Sequence, residues 1–285
     1  MRTPIRAAFC VALAAFGLAG GARFVAAAPQ DSEPKAELKP EVAALLKQST
    51  EAYRKLKSYQ HTAVWTVSGK DQEGNERKQE TRFTLALERP NKFCYKMDDG
   101  PKLAAAVSDG KTFINYRGEV KQYTKTAAPD TYKGINIVDD VMFQPLATYV
   151  IALMLQGDAL ADKDVRAAFE KATKQPSITE EGKKWEVLHV PFGEGEPFTF
   201  YFDANSHLLG KAVLHFPKRA DGPSLLTEKI TEVKLDKPID EAVFQYTPPD
   251  DAQEVEKFSK PEEPNTDNAL LTEVGPPARL RAVRR

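Results

Sequence analysis

Four histidines and several paired carboxylates are the residues of this chain that could do acid–base or metal chemistry. The histidines lack the i,i+4 pairing or His/Cys clustering of a metal site; they are His61, His189, His207 and His215. The acidic pairs fall in expected turns or helix starts, where carboxylates usually cap amides; they are Asp98 and Asp99, Asp139 and Asp140, and Asp250 and Asp251. The sequence carries no glycine-rich phosphate loop, nucleophile elbow or zinc signature. It therefore predicts a protein that is not an enzyme and binds neither a metal nor a cofactor.

One arginine takes a place in an apolar series. In RFTLALERPNKFCYKM, residues 82–97, alternate positions hold Phe83, Leu85 and Leu87, and the next position of that series is Arg89. Because alternate residues of a strand share a face, Arg89 should point where those apolar side chains point. The pattern leaves two interpretations open: a solvated strand-end arginine paired with a carboxylate, or a guanidinium with a specific partner at the rim of an apolar surface.

A sheet is needed to position these residues. The alternation predicts strands at 58–69, 77–89, 91–98, 102–108 and 111–124, separated by the turn sequences DQEGNE, RPN, DDGP and SDGK. The third strand carries Phe93 and Tyr95 on one face and Cys94 on the other. Further strands are predicted in KKWEVLHVPF, PFTFYFD, HLLGKAVLHFP and LLTEKITEVKLD. The sequence thus predicts a largely antiparallel sheet.

Helices are predicted before and between the two groups of strands. PEVAALLKQSTEAYRKLKSY has helical spacing of its apolar residues and a proline near its start. One or two helices are expected over 141–172, and the part from Val141 to Leu155 is almost continuously apolar. A helix that is apolar all round must be buried, so we expect it in the concave side of a strongly bent sheet.

The N-terminus predicts export from the cytoplasm. Residues 1–27 combine early arginines, a moderate apolar run and small residues, as a signal peptide does, and no stop-transfer segment follows. Residues 28–40 are expected to be a flexible leader. Cleavage removes Cys10 and leaves Cys94 as the only cysteine, so no intramolecular disulfide is possible. With 40 basic and 41 acidic residues, loss of the three signal arginines leaves a formal charge of −4, which does not favour nucleic-acid binding.

Several motifs, taken in order, resemble a known family. ERPNKFCYKM is followed by AVSDGKTFINY and, near the end, by AVFQYTPPDDAQEV, and the opening helix ends in LKSYQHT. This combination resembles the LolA-like superfamily of periplasmic lipoprotein carriers over residues 41–256. The resemblance implies an α+β fold: an incomplete, strongly curved antiparallel half-barrel with helices covering or filling its concave side. Residues 257–285, with their arginine-rich end, have no counterpart in the family and are expected to be a disordered tail.

The resemblance also implies roles for individual residues. By position, Arg89 matches the arginine that hydrogen-bonds the helical lid of those carriers, and Phe93 matches an aromatic residue near the cavity mouth. The cavity would hold an acyl chain and perform no covalent chemistry. The implied ligand-binding residues are Phe83, Leu85, Leu87, Phe93, Tyr95, Met142, Tyr149 and Met154. Ordinary core packing would give the same periodicity, and both interpretations stay open at this point.

These observations together predict a soluble, monomeric carrier or chaperone for the acyl chain of a lipid or lipoprotein, located in the periplasm or otherwise exported. The alternative is an envelope-stress sensor of the same fold that acts through a protein partner in the cell envelope, and a third possibility is a structural interaction module. The segment between SDGKT and VFQYTPP is longer than in the classical carriers, so delivery to an outer-membrane receptor is not implied.

Overall fold

A computed structural model describes residues 37–70, 74–98, 104–136, 146–191, 197–216 and 224–259. The predicted signal peptide and most of the predicted leader lie outside these ranges, as do the tail from residue 260 and one predicted site residue, Met142. Asp99, Asp139 and Asp140 also lie outside them. The fold and the site are built from the described residues.

Three α-helices form where the sequence pattern expects them. Helix α1 (Pro40–Arg54) has a proline at its start, which suits the first turn, and buries Val42, Leu45, Leu46, Ser49 and Tyr53. Helix α2 (Leu146–Gln156) contains no charged residue. Helix α3 (Lys163–Glu170) is capped by Asp162, whose carboxylate accepts hydrogen bonds from two backbone amides of the first turn. The first five residues of the predicted Val141–Leu155 helix lie outside the described ranges.

The remaining described elements are strands and two short 3₁₀ helices, Tyr132–Gly134 and Glu241–Phe244. The strands are β1 (Ser58–Lys70), β2 (Glu76–Glu88), β3 (Lys92–Asp98), β4 (Ala104–Asp109), β5 (Thr112–Arg117), β6 (Gln122–Ala127), β7 (Thr173–Glu180), β8 (Lys183–Val190), β9 (Phe198–Asp203), β10 (Leu209–Phe216), β11 (Ser224–Leu235) and β12 (Gln253–Glu254).

These strands form one sheet in the order β12-β6-β5-β4-β3-β2-β1-β11-β10-β9-β8-β7. Every neighbouring pair is antiparallel except β12 and β6, which run parallel. Consecutive strands pair on each side of the centre, and the first strand, β1, pairs with the late strand β11. The sheet is open, with β12 and β7 at its two edges. The predicted antiparallel sheet with helices is therefore confirmed.

Two details of the predicted sheet are wrong. The single strand expected over 111–124 is two strands, β5 and β6, because the chain turns at Gly118–Lys121, where Lys121 takes a positive φ of 48°. Strand β7 was not predicted, because Pro176 cannot donate to a strand ladder. It is accommodated at the sheet edge, where the pairing with β8 shifts register between Gln175 and Ile178.

The two faces of the sheet carry different cores. One face bears the larger core, which includes side chains of α1, α2, α3 and most strands. The opposite face of β2 to β5 carries a smaller core of Ala86, Cys94, Ala105, Val107 and Tyr116, which the segment from Ile239 to Ala252 covers. Helix α2 therefore packs against one face only, which we call the inner face. The residues on that face position the candidate site.

Candidate functional site

The predicted wall residues lie together on the inner face. Five of them are at most 1% exposed and share one continuous core with α2; they are Phe83, Leu85, Leu87, Phe93 and Tyr95. Strand pairing aligns β2 with β3, so that Leu85 lies opposite Tyr95 and Leu87 opposite Phe93. The rings of Phe83 and Tyr95 stack with centroids 6.2 Å apart. The sheet thus presents a large apolar surface that belongs to the same core as α2.

The two described candidates on α2 have different surroundings. Met154 is fully buried, and its sulfur accepts a hydrogen bond of 3.2 Å from the Ser49 hydroxyl of α1. Tyr149 is only partly buried, and its hydroxyl donates to the carboxylate of Asp162, 2.9 Å away at the start of α3. Met154 therefore contacts α1 within the larger core, whereas Tyr149 joins α2 to α3. Their roles in ligand binding stay predictions.

Arg89 reaches both helices with its guanidinium. Its Nε donates to the carbonyl of Leu56 at 2.8 Å, just beyond the end of α1. Its Nη2 donates to the carbonyl of Leu155 at 2.9 Å, in the last turn of α2, and to that of Arg54 at 3.4 Å. The last carbonyls of a helix have no intrahelical partners and carry partial negative charge, so a planar cation with several donors suits them. Arg89 thus joins the C-terminal ends of α1 and α2 to β2.

Other contacts hold the same end of α2. The buried Tyr132 hydroxyl donates to the Ala152 carbonyl at 3.2 Å, and the Gln156 amide donates to the Ile135 carbonyl at 2.6 Å. Gly157 ends the helix with φ at +93°, a conformation that glycine adopts without strain. A Cβ there would also lie 3.3 Å from the side chain of Arg54. The C-terminal end of α2 is therefore fixed by the side chains of Arg89 and Tyr132 and by its own Gln156.

The N-terminal end of α2 rests on a buried carboxylate. Glu228 of β11 is 1% exposed, and its two oxygens accept hydrogen bonds of 2.7 Å from the backbone amides of Ala147 and Thr148. One of those oxygens also accepts from the Thr148 hydroxyl at 2.5 Å. Three donors therefore converge on one carboxylate at the positive end of the helix dipole. Helix α2 is held by polar side chains at both ends and by apolar packing between them.

A chain of buried polar groups continues from Thr148 toward α1. The Thr148 hydroxyl lies 3.4 Å from Nε2 of His61, and Nδ1 of His61 lies 2.9 Å from the Tyr59 hydroxyl. The Tyr59 hydroxyl is hydrogen-bonded to that of Tyr53. The Tyr53 oxygen in turn accepts a hydrogen bond from the backbone amide of Leu209. One polar network thus runs beneath α2 from β11 to β10.

Burial governs the charge of this network. Burial raises the pKa of Glu228 to about 7, although its hydrogen bonds to Thr148 and Ala147 act in the opposite direction. Burial lowers the pKa of His61 to about 3, so its imidazole is neutral at physiological pH. Glu228 is the group of the network that changes charge near neutrality.

The sequence contained a signal for Glu228 that the prediction did not use. In SLLTEKITEV, alternate positions place Glu228 between Leu226 and Ile230, just as Arg89 follows Leu87. His61 likewise follows Tyr59 on the inner face of β1. At each end of α2, the residue that holds the helix is therefore a polar residue that takes a place in an alternating apolar series: Arg89 at one end and Glu228 at the other.

A surface cleft lies beside the Arg89 contacts. It has a volume of about 310 Å³ and an apolar floor that includes Leu38, Leu46 and Leu160. Lys47, Glu51, Arg54 and Asp158 also line it. Because Arg54 and Gly157 belong both to this cleft and to the contacts at the end of α2, an occupant of the cleft would touch the segment that Arg89 holds.

The remaining candidate groups are structural. Cys94 is buried in the smaller core, and burial raises the pKa of its thiol to about 12. Asp251 makes an ion pair of 2.6 Å with Lys121. In the described part of the chain, His, Cys, Asp and Glu form no group of three that could hold a metal ion. Within the same ranges, no helix is long and apolar enough to cross a membrane.

Solved structures with a similar fold come from several organisms. An uncharacterized conserved protein from Thermus thermophilus matches at 13% identity with a TM-score of 0.41, over 75% of this chain and 98% of its own. A LolA superfamily protein from Nitrosomonas europaea matches at 10% identity and a TM-score of 0.32, over 72% and 97%. LprF from Mycobacterium bovis matches at 15% identity with a TM-score of 0.32, and the match covers 75% of this chain and 99% of LprF. A LolA superfamily protein is thus among the structures that match this chain.

A search among curated proteins found no match. A family model described as "Predicted periplasmic protein (DUF2092)" matches residues 42–257. This span covers both groups of strands and all three helices. The family's description agrees with the predicted export signal and confirms the predicted periplasmic localisation. The chain belongs to the DUF2092 family of predicted periplasmic proteins.

Proposed function

We propose that this protein is a non-enzymatic carrier or binding protein for the acyl chains of lipids or lipoproteins in the cell envelope. In this proposal the sheet curves into an incomplete half-barrel, with α2 on its concave side. The acyl chain is taken up between α2 and the inner face of the sheet. The observation that carries the proposal is the uncharged helix α2, which lies on a wall of large apolar side chains and is tied to the rest of the fold at its two ends.

The wall residues are buried in the same core as α2, so in this proposal an acyl chain reaches them only when α2 moves. Five large side chains of α2 are buried: Val150, Ile151, Leu153, Met154 and Leu155. Burying each contributes about 1.5–3 kcal/mol, or roughly 7–15 kcal/mol together. An acyl chain of about sixteen carbons gains a similar amount, at about 0.8 kcal/mol per methylene. An acyl chain can therefore replace α2 on the wall at little net cost.

The polar contacts at the ends of α2 then decide when this exchange occurs. Arg89 helps to hold the C-terminal end through one carbonyl of the last turn, so breaking that hydrogen bond weakens an attachment to which Tyr132 and Gln156 also contribute. The remaining two donors of Arg89 stay on Leu56 and Arg54, which belong to α1 and the segment after it. In this mechanism Arg89 acts as a latch between α2 and the fixed part of the fold.

Lipid extraction and native mass spectrometry of the protein purified from a bacterial envelope test the proposal. A co-purifying acyl species that shifts the mass of the intact protein is the expected result. Protein that is consistently empty and forms a stable complex with another envelope protein would instead favour the regulatory alternative.

A substitution in the wall gives a second test. Leu85→Trp places a larger side chain in the proposed binding space and should abolish binding of a fatty acid that carries an environment-sensitive fluorophore. Leu225→Trp is the matched control, because Leu225 alternates with Leu226 and lies on the opposite face of β11. Equal probe binding by both variants and the wild type, with the fold retained, would contradict the proposed location.

A further inference from the structure

The N-terminal end of α2 is docked on a carboxylate that pairs with no cation among the residues that the structure describes. Glu228 accepts hydrogen bonds from Ala147 and Thr148 only, and no lysine or arginine in the described part of the chain pairs with it. A buried carboxylate without a cation is costly in its charged form. Its three hydrogen bonds compensate for part of that cost.

We propose that docking of α2 is linked to the binding of one proton by Glu228, so that deprotonation of Glu228 loosens the N-terminal end of α2. This link does not depend on a bound acyl chain and is a property of the fold itself. It gives the protein a second control on α2, at the opposite end from Arg89.

When Glu228 binds a proton, the polar network next to it can keep all of its hydrogen bonds, because each hydrogen bond between its side chains reverses its direction. When Glu228 is ionised, the Thr148 hydroxyl donates to it, Nε2–H of His61 donates to Thr148, and the Tyr59 hydroxyl donates to Nδ1. When Glu228 is protonated, its O–H donates to the Thr148 oxygen, Thr148 donates to Nε2, and Nδ1–H donates to the Tyr59 oxygen. The imidazole has one proton in both states, so only its tautomer changes.

Among the residues that the structure describes, the other titratable side chains of the polar network on the same face as Glu228 are neutral between pH 5 and pH 9. His61 has a pKa of about 3, and burial raises the pKa values of Tyr59 and Tyr53 above the ordinary tyrosine range. Helix α2 contains no charged residue, and the hydroxyl of its Tyr149 bonds to Asp162. On β10, Lys211 and His215 alternate with the core residues Ala212 and Leu214, so they lie on the opposite face of the sheet from Glu228. Glu228 is therefore the titrating group of this interface.

The sign of the effect follows from the two states of the carboxyl group. Docked beneath α2 it has a pKa of about 7, and exposed to water it returns to its ordinary value of 4.5. Because docking raises the pKa of Glu228, the bound proton stabilises the docked state of α2. This stabilisation is complete below pH 4.5 and is lost as the pH rises through 7. Undocking of α2 should therefore become roughly a hundredfold more favourable between pH 5 and pH 9.

Hydrogen exchange of the intact protein measures this link without any lipid. Amide protection of peptides from α2, corrected for intrinsic exchange, should fall roughly a hundredfold from pH 5 to pH 9 in the wild type. It should be nearly independent of pH in Glu228→Gln. Glu232→Gln is the matched control, because Glu232 lies exposed on the same strand, and it should behave as the wild type does. Wild-type protection that does not change with pH, or the same pH dependence in Glu228→Gln, overturns the proposal.

A direct titration serves if Glu228→Gln does not fold. The side-chain carboxyl carbons of the wild-type protein, labelled with ¹³C in glutamate, can be followed by NMR, with the signal of Glu228 identified by its absence from Glu228→Asp. A titration midpoint near 7 supports the link, and a midpoint at or below 4.5 overturns it. Both measurements use ligand-free protein, so their failure leaves the proposed carrier function unaffected.

Discussion

Replacing Arg89 tests whether its hydrogen bonds act as a latch on α2. Arg89→Leu removes all three donors, whereas Arg89→Lys keeps the positive charge but loses the planar arrangement that reaches Leu56 and Leu155 together. Both variants should therefore weaken the attachment of α2, with lysine a poor substitute for arginine.

The size of the effect follows from the single bond that reaches α2. A hydrogen bond from a charged donor contributes about 1.5–3 kcal/mol, so losing the contact with Leu155 should favour undocking of α2 by roughly 10- to 150-fold. The melting temperature should fall by only several degrees, since a protein of this size loses about 2–4 °C per kcal/mol.

Stopped-flow release of a fluorescent fatty acid and hydrogen exchange of α2 peptides both measure this change. Release and exchange should accelerate in both Arg89 variants. Arg82→Lys is the control, because Arg82 is exposed on the same strand. If neither Arg89 variant alters release or exchange, the contacts of Arg89 are structural only and the latch is refuted.

Three further predictions concern single residues. The Cys94 thiol, with its pKa raised to about 12 by burial, should not react with a disulfide reagent at pH 8 until guanidinium unfolds the protein; prompt labelling of the native protein would contradict its burial. Gly157→Ala should lower stability in urea unfolding by about 1 kcal/mol or more, because alanine is strained at φ of +93°, and an unchanged midpoint would argue against this helix end. Phe258→Ala removes the ring that stacks 4.1 Å from the Arg117 guanidinium and should speed proteolysis of the segment beyond β12, whereas equal cleavage rates would show that this contact does not hold the segment.

The sequence predicts the sheet well where strands alternate regularly. Strands β1 to β4 lie within two residues of their predicted limits, because apolar alternation and glycine-rich or proline-containing turns mark them locally. Strand β7 carries no such mark: its residues are mostly exposed, and Pro176 lies within it. The join between β5 and β6 was missed because its turn contains Glu119, Val120 and Lys121, residues that also occur within strands.

Of the polar groups that hold α2, only Arg89 could be predicted from the sequence. Arg89 could be found from the alternation of β2 and the family-like motif around it. Its acceptors could not be found, because they are backbone carbonyls and carry no residue-type signal. Glu228 and Thr148 lie 80 residues apart, and no local pattern relates a strand glutamate to a threonine in a distant helix. Long-range polar contacts of this kind become visible only in the folded chain.

The position of β1 beside β11 determines how the chain can fold. This central pairing aligns Tyr59 with Leu235 and Gly69 with Ser224, so the middle of the sheet cannot form until almost the whole domain is available. Closing such long loops is entropically costly and makes folding slow relative to a chain built from local contacts. Until β11 is available, one edge of β1 has no partner strand. A chain with this strand order therefore leaves the middle of its sheet incomplete until its last long strand has been added.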